Sequence, residues 1–292
     1  MTLSSTEREE GAAVAFNAAM IRCESTGNTW SCRGYHALWQ YLRFTGIQPS
    51  ISRDADALVR LLDEALVGGK QPRLLISGAA DYGLLELVYE WTQNTGEKVA
   101  VDIIDQCSTP LIANKWFGDK KGMNVATHLC DIREFSPPEP YDLVTTHSFL
   151  AMFPLNERQG IFDKWNQLLQ PGGWLMTSSR VFNVTTASKR ESPDVSELIS
   201  RLERLLEQLQ VMGWSTPCDN KGLFHLLHEL FVERPTNEIV IESELYSMLR
   251  ASGFEMIRCE NHEAAVPGVD SLVGAPKGLS ESRRITFLAR KK

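Results

Sequence analysis

A chain of 292 residues, 43% hydrophobic and 23% charged, has the balance of an ordinary globular protein and the length for one large α/β domain with an elaborated cap. Its net charge of −7 excludes the concentrated basic stripe that a nucleic-acid surface needs. No apolar run approaches the ~20 residues that span a bilayer, and the polar, acidic start MTLSSTEREEGAA does not read as a signal or transit peptide, so a cytoplasmic protein with no membrane partner is expected.

Residues 1–70 carry no convincing strand. Stretches 11–23 and 35–44 have helical spacing. Residues 54–66 are clearer, with Leu58, Leu61, Leu62, Ala65 and Leu66 on one face. Ser52 stands where it can cap that helix, and Gly68-Gly69 where they can end it. The region reads as a helical N-terminal segment, or lid. It permits a homodimer by exchange of helices without demanding one. Its aromatic residues Tyr35, His36, Trp39 and Tyr41, with Trp30 upstream, can line an apolar pocket above the core. A stripe at helical spacing is more often packing. Tyr35 and Trp39 are its substrate-pocket candidates.

At Arg73 the pattern changes. Residues 74–77 form the short apolar run expected of a parallel strand covered on both faces. A helix over 84–95, a strand over 99–104, a helix over 109–117 and a strand over 124–130 follow. A fourth strand is expected at 142–146, a helix at 156–169, and a fifth strand at 174–178 after the break Pro171-Gly172-Gly173. This alternation predicts an α/β fold with right-handed crossovers: a doubly wound, mostly parallel, Rossmann-like sheet. The alternation then lapses between about 181 and 241, where 193–212 is amphipathic through Leu198, Leu202, Leu205, Leu206 and Leu209, and 221–231 is helical. That stretch is a helical cap insertion. A helix at 242–252 and strands at 254–259 and 285–289, joined by a loop over 266–278, complete a domain running from 71 to 292.

Between the first strand and its helix lies Gly78-Ala79-Ala80-Asp81-Tyr82-Gly83. Small residues there let backbone approach a ligand, and the helix start offers free N–H groups. Asp105 ends the second strand, where a carboxylate can accept both hydroxyls of a ribose; Gln106 follows it. The pair describes a nucleotide-type pocket. The competing readings are a plain strand-to-helix turn and an exposed loop acid.

Taken in order, these pieces resemble the class I S-adenosylmethionine-dependent methyltransferase family over roughly Arg73 to Lys292. The resemblance rests on the glycine turn, on Asp105 in IIDQCSTPL, on Asp131-Ile132 in LCDIREF, on YDLVTTHSFLAMFP, on LLQPGGWLMTS, and on LRASGFEMIRC with ITFLARK. It implies a seven-stranded sheet whose last strand runs antiparallel. It implies S-adenosyl-L-methionine as cofactor, S-adenosyl-L-homocysteine as product, and a small-molecule methyl acceptor. The turn Gly78, Ala79, Ala80, Asp81 and Gly83 would then hold the methionine part, Asp105 the ribose, and Asp131 and Ile132 the adenine. Two positions depart from the family pattern: Ile76 stands where an acid is usual, and Ala80 where the second glycine is usual. Asp81 is the acid that can substitute.

His147 falls at the end of the fourth strand, where ligands gather in open parallel sheets. Its ordinary pKa suits a general base, and a backbone-bonded neutral histidine is the equal alternative. Thr146 is a weaker neighbour, and Arg180, after the fifth strand, can meet a substrate carboxylate. His225 and His228 share a helical face, but no third ligand is evident from spacing, and the six cysteines form no CxxC pair. No metal is expected. Two other functions use the same parts. An NAD(P)-dependent oxidoreductase needs a similar turn and acid, although G-x-G-x-x-G is not present. A non-catalytic binding protein is compatible with the departures at 76 and 80.

Overall fold

The computed structural model describes residues 3–23, 31–48, 51–68, 71–184, 192–234, 237–263 and 282–292. Strand β1 (Arg73–Ser77) runs parallel to β2 (Ala100–Asp105) on one side and to β4 (Tyr141–His147) on the other. β3 (Val125–Leu129) pairs parallel with β2, and β5 (Leu169–Phe182) parallel with β4. The closing strands are β6 (Phe254–Glu263) and β7 (Ser282–Lys291); β7 lies antiparallel between β5 and β6. The order β3-β2-β1-β4-β5-β7-β6 makes one seven-stranded sheet in which β7 alone opposes the common direction. The expected Rossmann-like architecture is the observed one.

Three helices precede the sheet: α1 (Ser5–Arg22), α2 (Arg33–Phe44) and α3 (Ala55–Leu66). Helices α4 (Gly83–Thr95), α5 (Ser108–Lys121) and α6 (Arg158–Leu168) alternate with the strands. The insertion supplies α7 (Val195–Met212) and α8 (Asn220–His228), which runs on into a short π-helical turn, and α9 (Glu242–Ala251) returns to the sheet.

The period-two alternation of strands sorts side chains into two layers. Leu74 and Ile76 of β1 pack with Val101, Ile103 and Leu143 against α3, α4 and α5. Leu75, between them, faces the opposite way with Ile104, Val144 and Phe287, against Ile161, Phe162 and Trp165 of α6 and Leu245 of α9. A third apolar cluster stands apart from the sheet. Ala12, Phe16, Leu38 and Leu42 of the N-terminal helices interlock with Leu198, Leu205 and Leu209 of α7 and Leu223 and Leu227 of α8. The N-terminal helices and the insertion therefore share one core.

Several boundaries differ from the sequence reading, each for a physical reason. α1 begins at Ser5 because Ser4 and Glu7 form a reciprocal capping box, at 3.2 and 2.8 Å. α3 is preceded by Asp54 rather than capped by Ser52, and the Asp54 side chain makes no cap. β5 starts before the Pro-Gly-Gly break, since Leu169 already pairs with Tyr141 and the ladder resumes at Trp174. Gly172 (φ +75°) absorbs that irregularity. β7 extends outward to Ser282 because it tracks the long β5. Trp30, Gly69 and the 266–278 loop lie outside the described residues. Among the described residues, no helix is long and apolar enough to cross a membrane.

Candidate active site

The chain runs from β1 outward to β2 and β3, then returns to β4 on the other side of β1. That reversal leaves a crevice at the carboxyl ends of β1 and β4, the usual ligand position in open α/β sheets. A cavity of about 760 Å³ occupies it. Of the residues singled out from sequence, Gly78, Ala79, Ala80, Asp81, Asp105, Gln106, Asp131, Ile132, His147, Tyr35, Trp39 and Arg180 all line this one cavity. Gly83 is the first residue of α4 and Thr146 is fully buried within β4; neither lines it.

The turn after β1 is tightly determined. The Gly78 N–H donates to the Ile104 carbonyl at 2.9 Å, and its φ is +74°. A Cβ there would sit 2.2 Å from the Phe149 ring, so both conformation and space require glycine. The next residue donates from the Ala79 N–H to Asp105 Oδ2 (3.0 Å), while the Cys107 N–H donates to Asp105 Oδ1 (2.7 Å). One carboxylate thus ties the turn to the start of α5, and each oxygen keeps further acceptor capacity. Burial pushes the Asp105 carboxyl up to about 6, against the opposing pull of His36 and the two backbone donors.

Asp81 is held from two sides. Its Oδ1 accepts from the Gly83 N–H (2.8 Å) and its Oδ2 from Arg43 of α2 (2.8 Å). Arg43 also pairs with Glu86, which fastens α2 to the first turn of α4. Asp131 accepts from Arg133 through backbone N–H and Nε (both 2.9 Å) and through Nη2 (2.6 Å); that guanidinium keeps its carboxyl below the ordinary range. Tyr35 and Trp39 sit on the cavity side of α2 with ring centroids 5.0 Å apart, and the Arg234 guanidinium lies 4.9 Å from the Tyr35 centroid.

His147 belongs to a buried polar cluster assembled from four separate parts of the chain. Its Nε2 lies 2.7 Å from Asp54 Oδ2. The same oxygen accepts from Arg284 Nη2 (2.6 Å) and Ser178 Oγ (2.6 Å). Asp54 is fully buried. Nε2 faces the Asp54 carboxylate and, at 3.0 Å, the donor-only Arg284 Nη2; the nearer carboxylate favours the tautomer with the ring proton on Nε2 and the lone pair on Nδ1. Burial, with the nearby Arg284 charge, pushes the imidazole below its ordinary 6.5 against the pull of Asp54, so the neutral ring prevails at neutral pH. Ser148, the next residue, adopts φ +56°, a strained conformation for a non-glycine residue, and its Oγ accepts from Arg284 (3.1 Å).

Sequence reasoning missed Asp54, Arg43 and Arg284. Their partners lie up to 230 positions away, and no local spacing announces them. A second miss concerns the cysteines. All six are free thiols, and three of them, Cys23, Cys32 and Cys107, meet His36 at the edge of the cavity, a grouping that no CxxC spacing announces. His225 and His228 engage Glu229 (3.3 Å) and Glu233 (3.1 Å) instead of converging with a third ligand.

No protein-family model matches this sequence, and no curated protein sequence matches it. Solved structures do resemble it. A protein assigned as a sarcosine dimethylglycine methyltransferase, from Galdieria sulphuraria, aligns over 82% of this chain and 85% of its own, with a TM-score of 0.52 at 12% identity. The 4+2 cyclase SpnF aligns over 98% of this chain and 94% of its own, with a TM-score of 0.53 at 14% identity. At such identities the likeness establishes a common fold, and the chemistry must be argued from the site.

Proposed function

We propose that this chain is an enzyme, an S-adenosylmethionine-dependent methyltransferase acting on a small, partly apolar acceptor. One observation carries the reading. The glycine turn, Asp105, the Asp131-Ile132 pair and His147, backed by the buried Asp54, border one cavity at the point where the strand order reverses. Its size is that of a pocket for a nucleoside and a small acceptor together. The residues fit the cofactor. Asp105 is a half-buried carboxylate bonded to two backbone N–H groups, with lone pairs left for two ribose hydroxyls. Asp81 supplies the acid that Ile76, buried in the core, cannot.

When bound, S-adenosylmethionine supplies a methyl group already activated by positive sulfur. The protein's work is then alignment and exclusion of water. The turn at 78–81 and Asp105 fix the donor's position. Tyr35 and Trp39, on the lid, close the apolar side over the acceptor, and Arg180 meets a carboxylate on it. Where the acceptor arrives protonated, His147 takes the proton at Nδ1, oriented by Asp54 through Nε2.

The same fold carries a cyclase, so binding and transfer are tested separately. S-adenosylhomocysteine is expected to raise the melting temperature and NADH to leave it unchanged. The reverse pattern would replace this reading with a nicotinamide enzyme, and no response to either at millimolar ligand would favour a non-catalytic binder. For the base, His147→Ala is expected to lower turnover about 100-fold or more while leaving S-adenosylhomocysteine affinity intact. A wild-type rate from about pH 6 to 9 in that variant would remove His147 from the mechanism.

A further inference from the structure

We propose that Cys23, Cys32, His36 and Cys107 form a tetrahedral zinc site that clamps the lid to the floor of the cavity. The four residues come from three places. Cys23 ends α1, Cys32 and His36 flank the start of α2, and Cys107 immediately precedes α5. Their donor atoms all lie within 4.8 Å of one another.

The distances suit a metal. A tetrahedral zinc ion with Zn–S near ~2.3 Å and Zn–N near ~2.0 Å sets S···S edges of about 3.8 Å and S···N edges of about 3.5 Å. Here Cys23 Sγ and Cys32 Sγ lie 3.5 and 3.7 Å from Cys107 Sγ. His36 Nδ1 lies 3.4 Å from Cys23 Sγ and 3.3 Å from Cys107 Sγ. Four edges of the tetrahedron are therefore within a few tenths of an ångström of their liganded lengths. Three thiols and one imidazole are a donor set that zinc prefers, and four protein donors complete its shell, which assigns a structural role.

The surroundings fit as well. Thr109 Oγ1 lies 3.1 Å from Cys23 Sγ, so a hydroxyl stands ready to donate to a thiolate. Cys23 and His36 are buried, whereas Cys32 and Cys107 are half-buried, and all four line the cavity, which gives an ion its access. A single disulfide would consume two of the sulfurs and leave the third thiol and the imidazole beside it without a purpose. A metal uses all four. Because Cys107 donates its N–H to Asp105, metal binding would also stiffen the acid that faces the ligand.

The test uses the full-length chain, stripped of metal under reducing conditions and titrated with Zn²⁺ and with Co²⁺. One zinc per chain is expected. Cobalt should give the intense thiolate charge-transfer band and the visible bands of tetrahedral coordination. Cys32→Ser should weaken zinc binding at least about 100-fold and change the cobalt spectrum. Cys218→Ser, outside the cluster, should behave as wild type. Zinc should raise the melting temperature of the wild type and not of Cys32→Ser. Absence of stoichiometric metal, or a cobalt spectrum indifferent to Cys32→Ser, would overturn the site. So would a Cys23–Cys107 or Cys32–Cys107 disulfide found by mass spectrometry in protein kept reduced. If Cys32→Ser does not fold, the wild-type cobalt spectrum still decides, because its charge-transfer intensity counts the thiolates.

Discussion

Asp54→Ala is expected to destabilise the protein by about 3–5 kcal/mol, measured by chemical denaturation at neutral pH. The carboxylate is fully buried and holds Arg284, His147 and Ser178 at once. Removing it leaves a guanidinium only 13% exposed facing an imidazole and two hydroxyls, with no negative charge to balance it. The pH dependence gives a second readout. Burial alone would raise the Asp54 carboxyl, but the His147 hydrogen bond and the Arg284 charge outweigh it and hold it well below its ordinary 3.8. A depressed carboxyl stabilises the fold fully above its unfolded value and loses that contribution as pH falls through the folded value. His147 adds a loss of the same sign, since its lowered pKa lets the unfolded chain bind a proton first as pH drops below about 6.5. Wild-type stability should therefore fall with acid in two stages, and the lower stage should be missing from Asp54→Ala. An alanine variant as stable as wild type, with an unchanged acid profile, would show that the polar cluster does not hold the site together.

Asp105→Ala is expected to weaken S-adenosylhomocysteine binding by about 1–3 kcal/mol, the cost of leaving two ligand hydroxyls without their acceptor. Calorimetry at neutral pH measures it. The Asp105 carboxyl titrates at about 6, so the acceptor is present above that value and lost below it. Wild-type affinity should fall as pH is lowered through about 6, and the alanine variant should not follow. Unchanged affinity would move the ribose position elsewhere. The two acids act on stability with opposite sign. A carboxyl raised above 3.8 favours the folded state more as pH falls toward 4, so Asp105 burdens the fold at neutral pH where Asp54 supports it.

The sheet was legible because its signals are local. Apolar runs at 74–77 and 142–146 and the small-residue turn between strand and helix need only their neighbours to be read. The Ser4–Glu7 capping box was equally local and passed unnoticed, so that α1 reached six residues further toward the N-terminus than its apolar spacing indicated. The polar half of the site was not legible. Asp54 looks like an ordinary first residue of a helix, and Arg284 follows another arginine just ahead of the strand read at 285–289. Only the pairing of β7 with β5, which sets Arg284 opposite Arg180, brings that side chain over Asp54. The cysteine–histidine cluster was hidden for the same reason. Cys23, Cys32 and His36 are near in sequence, but the fourth member lies 71 positions beyond His36 and arrives only when β2 is in place.

The apolar cluster joining Phe16 and Leu38 to Leu205 and Leu227 has a kinetic corollary. Its halves are separated in the chain by the first five strands, so closing the seam carries the entropic cost of a long intervening chain. Shortening the chain to begin near residue 70 would strip one side of that seam, take α3 from the sheet core and Asp54 from the polar cluster, and leave the leucines of α7 and α8 bare as a sticky surface. The first seventy residues are thus no detachable appendage: they are the missing half of a hydrophobic joint, and a fragment without them should self-associate.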